Sequence, residues 1–374
     1  MRIPHQQPIQ VLFTGYAPVH FVCFQPLFLR LAQDPDFSVW VSGGLREVDE
    51  DEGYLYRTYA LYKPFGIDPE RMLTMDQIAE RDFDLLFAAN TKMLEPRSVR
   101  AKIQVFHGVS FRNRAIRKRN LSADYFFMAG PYMQRKWSEA GLLPPDDPRG
   151  VRTGFMKTDR LVDGSLKREE LLSAYGFDGS RPVILYAPTG QKHNSLELMG
   201  EEFLQELKAT GRFDVLVKLH DHPKDTSINW QARIAAIEDP HLRLVQSYDI
   251  IPAMFLSDLL VTDASSVSSE YALLDRPMVF LDVPQLIESA ARKSSSMLDL
   301  KTWGRHTGII AKTASEGVAA VEESLAQPER FAELRQAMAQ DLFYNPGRAT
   351  ETAYQWVRRT FVQDRAETAR ASTA

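Results

Sequence analysis

Leu259-Leu-Val-Thr-Asp-Ala-Ser-Ser-Val-Ser-Ser-Glu-Tyr-Ala-Leu-Leu-Asp-Arg-Pro-Met-Val-Phe-Leu281 is the stretch that decides the fold. It opens on the apolar run Leu259–Val261, of the kind that forms a strand buried on both faces. At Thr262–Ser266 the run breaks into small polar side chains able to cap a helix. The pattern predicts a helix over Val267–Leu274, stopped by Pro277, and a second buried strand over Met278–Leu281. A helix start that carries hydroxyls and orphan backbone N–H groups favours negative charge, so Ser265 and Ser266 are candidates for an anion site. An ordinary capped helix with no ligand is the alternative.

Working outward, the same alternation runs through the chain. Strands are predicted at Ile9–Phe13, Phe37–Val41, Asp84–Ala88, Lys102–Phe106 and Ala123–Met128, with helices at Phe21–Gln33 and Pro131–Ala140. The aromatic-rich segment Tyr54–Tyr62 reads as a helix, and the acidic run Asp49–Glu52 as a solvated loop. A second series begins at Pro182–Ala187 and continues through Phe213–Leu219, Leu242–Gln246 and the opening stretch to Gly308–Ala311. Helices at Leu196–Thr210, Ser315–Leu325, Phe331–Gln340 and about 350–361 accompany it. Two series of alternating strands and helices argue an α/β protein with two doubly wound, Rossmann-like domains facing across a cleft. The polar stretch Asp163–Arg168 serves as the hinge, giving domains at 1–162 and 163–345. The remainder, 346–374, is expected to pack back on the first domain and end in a frayed tail.

Composition narrows the function. The 374 residues carry a formal net charge of -4, with 25% charged and 44% hydrophobic residues, which makes no global case for nucleic-acid binding. The single cysteine, Cys23, sits in an apolar run, excludes an intrachain disulfide and suits a reducing cytoplasm. No stretch approaches the ~20 apolar residues of a membrane span, and the first residues lack the apolar core of a signal peptide. Any membrane contact is therefore expected to be peripheral. Five basic residues among Arg112–Arg119, Arg112 and Arg114 included, could meet phosphates or anionic lipid; a solvated face is the alternative.

The chemistry-bearing residues gather where open α/β sheets bind ligands, past the carboxyl ends of strands. Gly15 follows the first strand, with His20 near it, but a lone glycine disfavours a nicotinamide or flavin dinucleotide. His107-Gly108 ends another strand, where an imidazole with a pKa near ~6.5 suits proton transfer from an acceptor hydroxyl. Pro188-Thr189 ends the first strand of the second series, and His220 repeats the placement of His107. His220 and His222 are two apart, but no third ligand at suitable spacing supports a metal. The clustering makes a nucleotide-diphosphate donor the natural ligand.

These residues form a set: His107-Gly108, Thr153-Gly154-Phe155 with Asp159, Tyr186–Thr189, Lys218–His220 with Pro223, and Thr262–Ser266 with Tyr271–Pro277. The set resembles the CDP-glycerol glycerophosphotransferase family, the primases and polymerases of teichoic acids, with a two-domain GT-B fold. The resemblance covers roughly Val105–Leu281, in matching order. It implies a transferase moving a glycerol-phosphate-like group from a CDP-activated donor to a glycan or lipid-linked acceptor. It implies His107 as base toward the acceptor hydroxyl and His220 as the group that stabilises or protonates the departing phosphates. Donor contacts would come from Gly108, Lys157, Pro188, Thr189, Lys218, Asp263, Ser265, Ser266 and Glu270. Acceptor or phosphate contacts would come from Gly15, His20, Arg112 and Arg114. No cofactor or metal is expected, and self-association is compatible with the sequence.

The chain departs from the family pattern where Phe106 precedes the histidine-glycine pair and Val109-Ser110-Phe111-Arg112 follows it. Met156-Lys157-Thr158-Asp159 replaces a proline-arginine-asparagine-aspartate, and Glu270 an aspartate. The long extra N-terminal region of the large polymerases is not expected here. A UDP-sugar-dependent glycosyltransferase or 2-epimerase of the same fold is the second reading. The epimerases carry a glycine pair where Ser265-Ser266 stand. A non-catalytic nucleotide-binding scaffold is the third.

Overall fold

The apolar runs that alternate with helices become strands buried on both faces, and they assemble into two separate parallel sheets in a computed structural model. It describes residues 7–49, 53–89, 93–108, 116, 118–221, 227–294, 299 and 302–363. The chain divides into two units. The first draws on Met1–His107, Ala115–Asp159 and Phe343–Ala374, the second on Gly108–Arg114 and Arg160–Leu342.

In the first unit the strands are β1 (Ile9–Gly15), β2 (Phe37–Gly43), the hairpin β3 (Leu45–Asp49) and β4 (Gly53–Arg57), β5 (Met72–Leu73), β6 (Asp82–Ala88), β7 (Ser98–Gln104), β8 (Tyr125–Phe127) and β9 (Gly150–Val151). The sheet order is β5-β2-β1-β6-β7-β8-β9, with every pairing parallel. Order therefore reverses between β1 and β6, the switch point of a doubly wound sheet. The helix Pro18–Ala32 covers one face with Phe21, Phe24 and Phe28, and Phe13 of β1 stacks on Phe87 of β6 at 4.8 Å.

The second unit holds β10 (Val183–Tyr186), β11 (Asp214–Val217), β12 (Leu242–Leu244), β13 (Leu259–Thr262), β14 (Met278–Leu281) and β15 (Ile309–Ala311). Its order, β12-β11-β10-β13-β14-β15, is again parallel and reverses between β10 and β13. Ile184, Tyr186, Val215, Val217, Val261 and Val279 form its core with Phe203, Leu204 and Leu207 of the helix Glu201–Ala209.

The helix expected over Tyr54–Tyr62 is corrected. Its first part is β4, paired antiparallel with β3 so that Arg46 lies opposite Tyr56 and Val48 opposite Tyr54; only Thr58–Tyr62 is helical. The reason is an alternation that aromatic density concealed. Tyr54 and Tyr56 take one face of the ribbon with Arg46, while Glu47 and Arg57 pair at 2.6 Å on the other. The join to the helix is held where Thr58 Oγ1 donates to the Gly43 carbonyl and Tyr62 Oη to that of Ser42 at 2.6 Å.

The final helix Ala349–Val357 belongs to the first unit. Asp159 accepts from the backbone N–H groups of Ala349 (3.0 Å) and Thr350 (2.7 Å), a carboxylate at the helix's positive end. Gly154, at φ +95°, lets that segment approach, since a Cβ there would strike the Tyr344 carbonyl. Asp34 accepts from Tyr354 Oη (2.7 Å) and from Arg358, fastening the helix to the turn before β2. Among the described residues no helix is long and apolar enough to cross a membrane.

Candidate active site

Both units carry a histidine seated against a glycine, Gly15 at the end of β1 and Gly190 in the turn after β10. At the end of β1, a Cβ on Gly15 would stand 2.9 Å from His20 Cβ. The missing side chain is what admits the imidazole. His20 Nδ1 accepts from Tyr16 N–H (3.2 Å), and its ring meets those of Tyr16 at 4.5 Å and His107 at 5.2 Å, edge to face. Gly15, His20 and His107 are thus brought together at the carboxyl ends of β1 and β7. In the second unit a Cβ on Gly190 would stand 2.6 Å from His220 Cγ and 2.7 Å from Nδ1. Gly190 was not among the expected contacts; its position directly after Pro188-Thr189 was the available signal.

His107 is exposed, and its Nδ1 lies 2.6 Å from the Ala89 carbonyl just beyond β6. A carbonyl only accepts, so Nδ1 carries the proton and Nε2 is the basic nitrogen of the neutral ring. Such a bond sets both tautomer and orientation. His220 is likewise exposed, three residues past β11.

Asp263 corrects the expectation that it contacts a donor. Its side chain is 0% exposed and wholly engaged by protein donors. Thr189 N–H reaches it at 3.0 and 3.3 Å, Ser195 N–H and Oγ–H each at 3.0 Å, and Ala264 N–H at 2.6 Å. Burial raises its pKa above the usual carboxylate value, against the lowering by the Ser195, Thr189 and Ala264 hydrogen bonds. Spanning β10 and β13 at the switch point, it positions Thr189 rather than meeting solvent. Thr262 Oγ1 ties the same two strands by donating to the Ala187 carbonyl at 2.7 Å. Ser195 was missed by sequence reasoning. The signal was Tyr186, a tyrosine inside an otherwise apolar buried strand, whose hydroxyl lies 2.9 Å from Ser195 Oγ.

The remaining donor candidates divide. Pro188 and Thr189 line the turn after β10. The helix after β13 is short, Val267–Tyr271, and Ser266 makes no side-chain cap; Ser265 Oγ takes only a long 3.4 Å contact from Val267 N–H. The capping expected of these hydroxyls is not made. Gly108 groups with the second unit, where a Cβ on it would lie 3.4 Å from Ser266 Oγ. Glu270, expected to reach ribose hydroxyls, is 1% exposed and packs inside that unit. Lys218 is drawn to Asp221 at 2.5 Å and donates to the Leu219 carbonyl at 2.9 Å. Lys157 lies buried in the first unit, apart in sequence and unit from the other donor candidates. Arg112, Arg114 and His222 lie outside the described residues.

Much of the motif around Tyr271–Pro277 proves architectural. Tyr271 is buried, with its phenol pushed up by desolvation and donating to the Ser257 carbonyl at 3.0 Å. Asp275 turns the chain at φ +49° and accepts from the buried Arg335 at 2.9 Å. Arg276 donates to the Phe255 and Ser257 carbonyls at 2.5 Å each.

Two doubly wound parallel sheets, each with its order reversing at a switch point, define a protein of the GT-B class. The wall teichoic acid polymerase TagF has the same fold, with a TM-score of 0.66 at 15% identity over 96% of this chain and 90% of that one. A putative UDP-N-acetylglucosamine 2-epimerase from Listeria monocytogenes shares it at a TM-score of 0.58 and 15% identity, over 95% and 97%. Within that class, residues 89–359 match the model of CDP-Glycerol:Poly(glycerophosphate) glycerophosphotransferase, and the chain belongs to that family. The teichoic acid glycerol-phosphate primase of Bacillus spizizenii is 33% identical over 134 residues, 35% of this chain and 33% of that protein. The teichoic acid ribitol-phosphate primase of the same organism is 30% identical over 165 residues, 42% and 40%. The chain thus matches 33% and 40% of the length of these two relatives.

Proposed function

We propose that this protein transfers a polyol-phosphate group from a CDP-activated donor to a hydroxyl of a glycan or lipid-linked acceptor in cell-envelope polymer synthesis. Family membership supports the donor class. The observation that carries the mechanism is the 2.6 Å bond from His107 Nδ1 to the Ala89 carbonyl, which leaves Nε2 basic. His107 Nε2 takes the acceptor hydroxyl's proton as its oxygen attacks the phosphorus bearing the polyol. The bond from that phosphorus to the bridging oxygen breaks, and CMP departs with the electron pair. His220, oriented against Gly190, meets the departing phosphate and supplies charge or a proton. Thr189, Ser265 and Ser266 offer hydroxyls to the diphosphate, with Thr189 held by Asp263. No step requires a cofactor: positioning and charge stabilisation suffice for such a displacement.

The test couples binding to turnover. Thermal shift with CDP-glycerol, CDP-ribitol, CMP, UDP-GlcNAc and UDP should give stabilisation by cytidine nucleotides only. CMP release from CDP-glycerol in the presence of acceptor should fall by about 10²–10⁴-fold in His107→Gln, with donor binding retained. Stabilisation by uridine nucleotides alone would instead establish the UDP-sugar reading. Unchanged turnover in both His107→Gln and His220→Gln would remove the proposed mechanism.

A further inference from the structure

The β3–β4 hairpin carries a cluster that the chemistry above does not use. On one face of the ribbon Arg46 stands directly across from Tyr56, with Tyr54 two residues along. The Arg46 guanidinium carbon lies 4.5 Å from the ring centroid of Tyr16 and 4.7 Å from that of Tyr54. Tyr54 is 52% exposed, and Arg46 is exposed beside it. Cation–π contacts leave a guanidinium's N–H donors unspent, and among the described residues no carboxylate pairs with Arg46. Arg46 is thus the centre of the cluster, lying over the rings of Tyr16 and Tyr54 and across the ribbon from Tyr56, whose phenol is raised by burial against the lowering by the Arg46 charge. Tyr16 leads from this cluster to the proposed base through His20, whose ring touches both Tyr16 and His107.

Resting on the transferase reading, we infer that Arg46 with Tyr16, Tyr54 and Tyr56 recognises the acceptor, and that its ligand is a polyol phosphodiester near the attacking hydroxyl. Each part has a chemical reason. The planar guanidinium can take two phosphate oxygens through parallel N–H donors. Tyrosine rings present flat faces to the C–H edges of a polyol or sugar and hydroxyls to its oxygens. A hairpin face that exposes aromatic and cationic groups together, beside a base at the sheet's carboxyl edge, is suited to an anionic, hydroxylated chain. A bare anion would need only the arginine.

The experiment uses the full chain and titrates di(glycerol phosphate) calorimetrically into wild type, Arg46→Gln, Arg46→Lys and Tyr54→Leu. Inorganic phosphate and CDP-glycerol are titrated in parallel, and thermal melts verify folding. Saturable binding of di(glycerol phosphate) by wild type is expected, weakened about tenfold or more in Arg46→Gln. Arg46→Lys, which keeps the charge but loses the fork, should fall between. Tyr54→Leu should weaken di(glycerol phosphate) without changing CDP-glycerol binding. Arg46→Gln binding like wild type, wild type showing no saturable binding, or inorganic phosphate binding as tightly as di(glycerol phosphate) would each overturn the inference. CDP-glycerol reports on the donor reading separately. Its failure to bind sinks that reading, while the Arg46 dependence of di(glycerol phosphate) binding stands or falls on its own titration.

Discussion

Gly190→Ala should cripple turnover in a protein that still folds. The backbone at Gly190 is not in the left-handed region, so alanine meets no conformational penalty there. The conflict is with one side chain. The new Cβ would come 2.6 Å from His220 Cγ, whereas ordinary contact begins near 3.4 Å, so the imidazole must retreat by about 0.8 Å. The conflict reaches His220 Cβ, at 3.0 Å, so rotation of the ring alone does not relieve it. The backbone that carries His220 must therefore give as well, and this local overpacking should cost about 1–3 kcal/mol of stability. A shift of ~1 Å in a catalytic group can cost on the order of 10²-fold in rate. CMP release should therefore drop roughly 10–100-fold in kcat, with a cooperative melt retained at a moderately lower temperature and CDP-glycerol still bound. Two results would refute the reasoning. One is wild-type turnover in Gly190→Ala. The other is loss of turnover that His220→Gln does not reproduce, since the glycine acts only through the histidine it seats.

Asp263→Ala should be destabilising. It orphans the N–H groups of Thr189, Ser195 and Ala264, at about 1–3 kcal/mol for each buried donor left unpaired, while the Ser195 hydroxyl keeps Tyr186 as a partner. The removal of a charge that burial disfavours offsets part of this, giving a net loss of roughly 3–5 kcal/mol by urea unfolding; a loss under about 1 kcal/mol would contradict the assigned role. Asp34 should make folding acid-sensitive. Burial raises its pKa, but the Asp36 N–H, Tyr354 and Arg358 together hold it below the ordinary value. The stabilisation is thus present above the unfolded pKa of about 3.9 and is lost as pH falls through the folded one. Asp34→Asn should be less stable than wild type at pH 7 and should converge on it in acid, a convergence that denaturant titrations at several pH values would detect or deny.

The sheets were legible because a strand buried on both faces must be apolar throughout. Leu259–Val261 and Met278–Leu281 left no other reading, and these two strands differ from expectation by at most one residue, whereas the expected strand Lys102–Phe106 is found at Ser98–Gln104. The β3–β4 hairpin was not legible, because Tyr54–Tyr62 joins a strand to a helix with no break in aromatic density. Period two over four residues is easily hidden, and it was the pairing of Arg46 with Tyr56 that settled it. At the candidate site, position along the chain revealed which residues end strands but not which way they point. Asp263 and Ser265 are two apart, yet the first is consumed by the turn after β10, while the hydroxyl of the second takes a long 3.4 Å contact from Val267 N–H.

The two units resolve one physical problem in the same way. A histidine that must sit close to the carboxyl end of a first strand needs room against the backbone, and in each unit the turn supplies it by omitting a Cβ, at Gly15 and at Gly190. The consequences differ with burial. His20 is enclosed and touches His107 through its ring, so the first glycine supports packing beneath the proposed base. His220 is open to solvent, so the second glycine governs where an imidazole points and little else. That difference is why a methyl group at Gly190 should register more strongly in kcat than in stability.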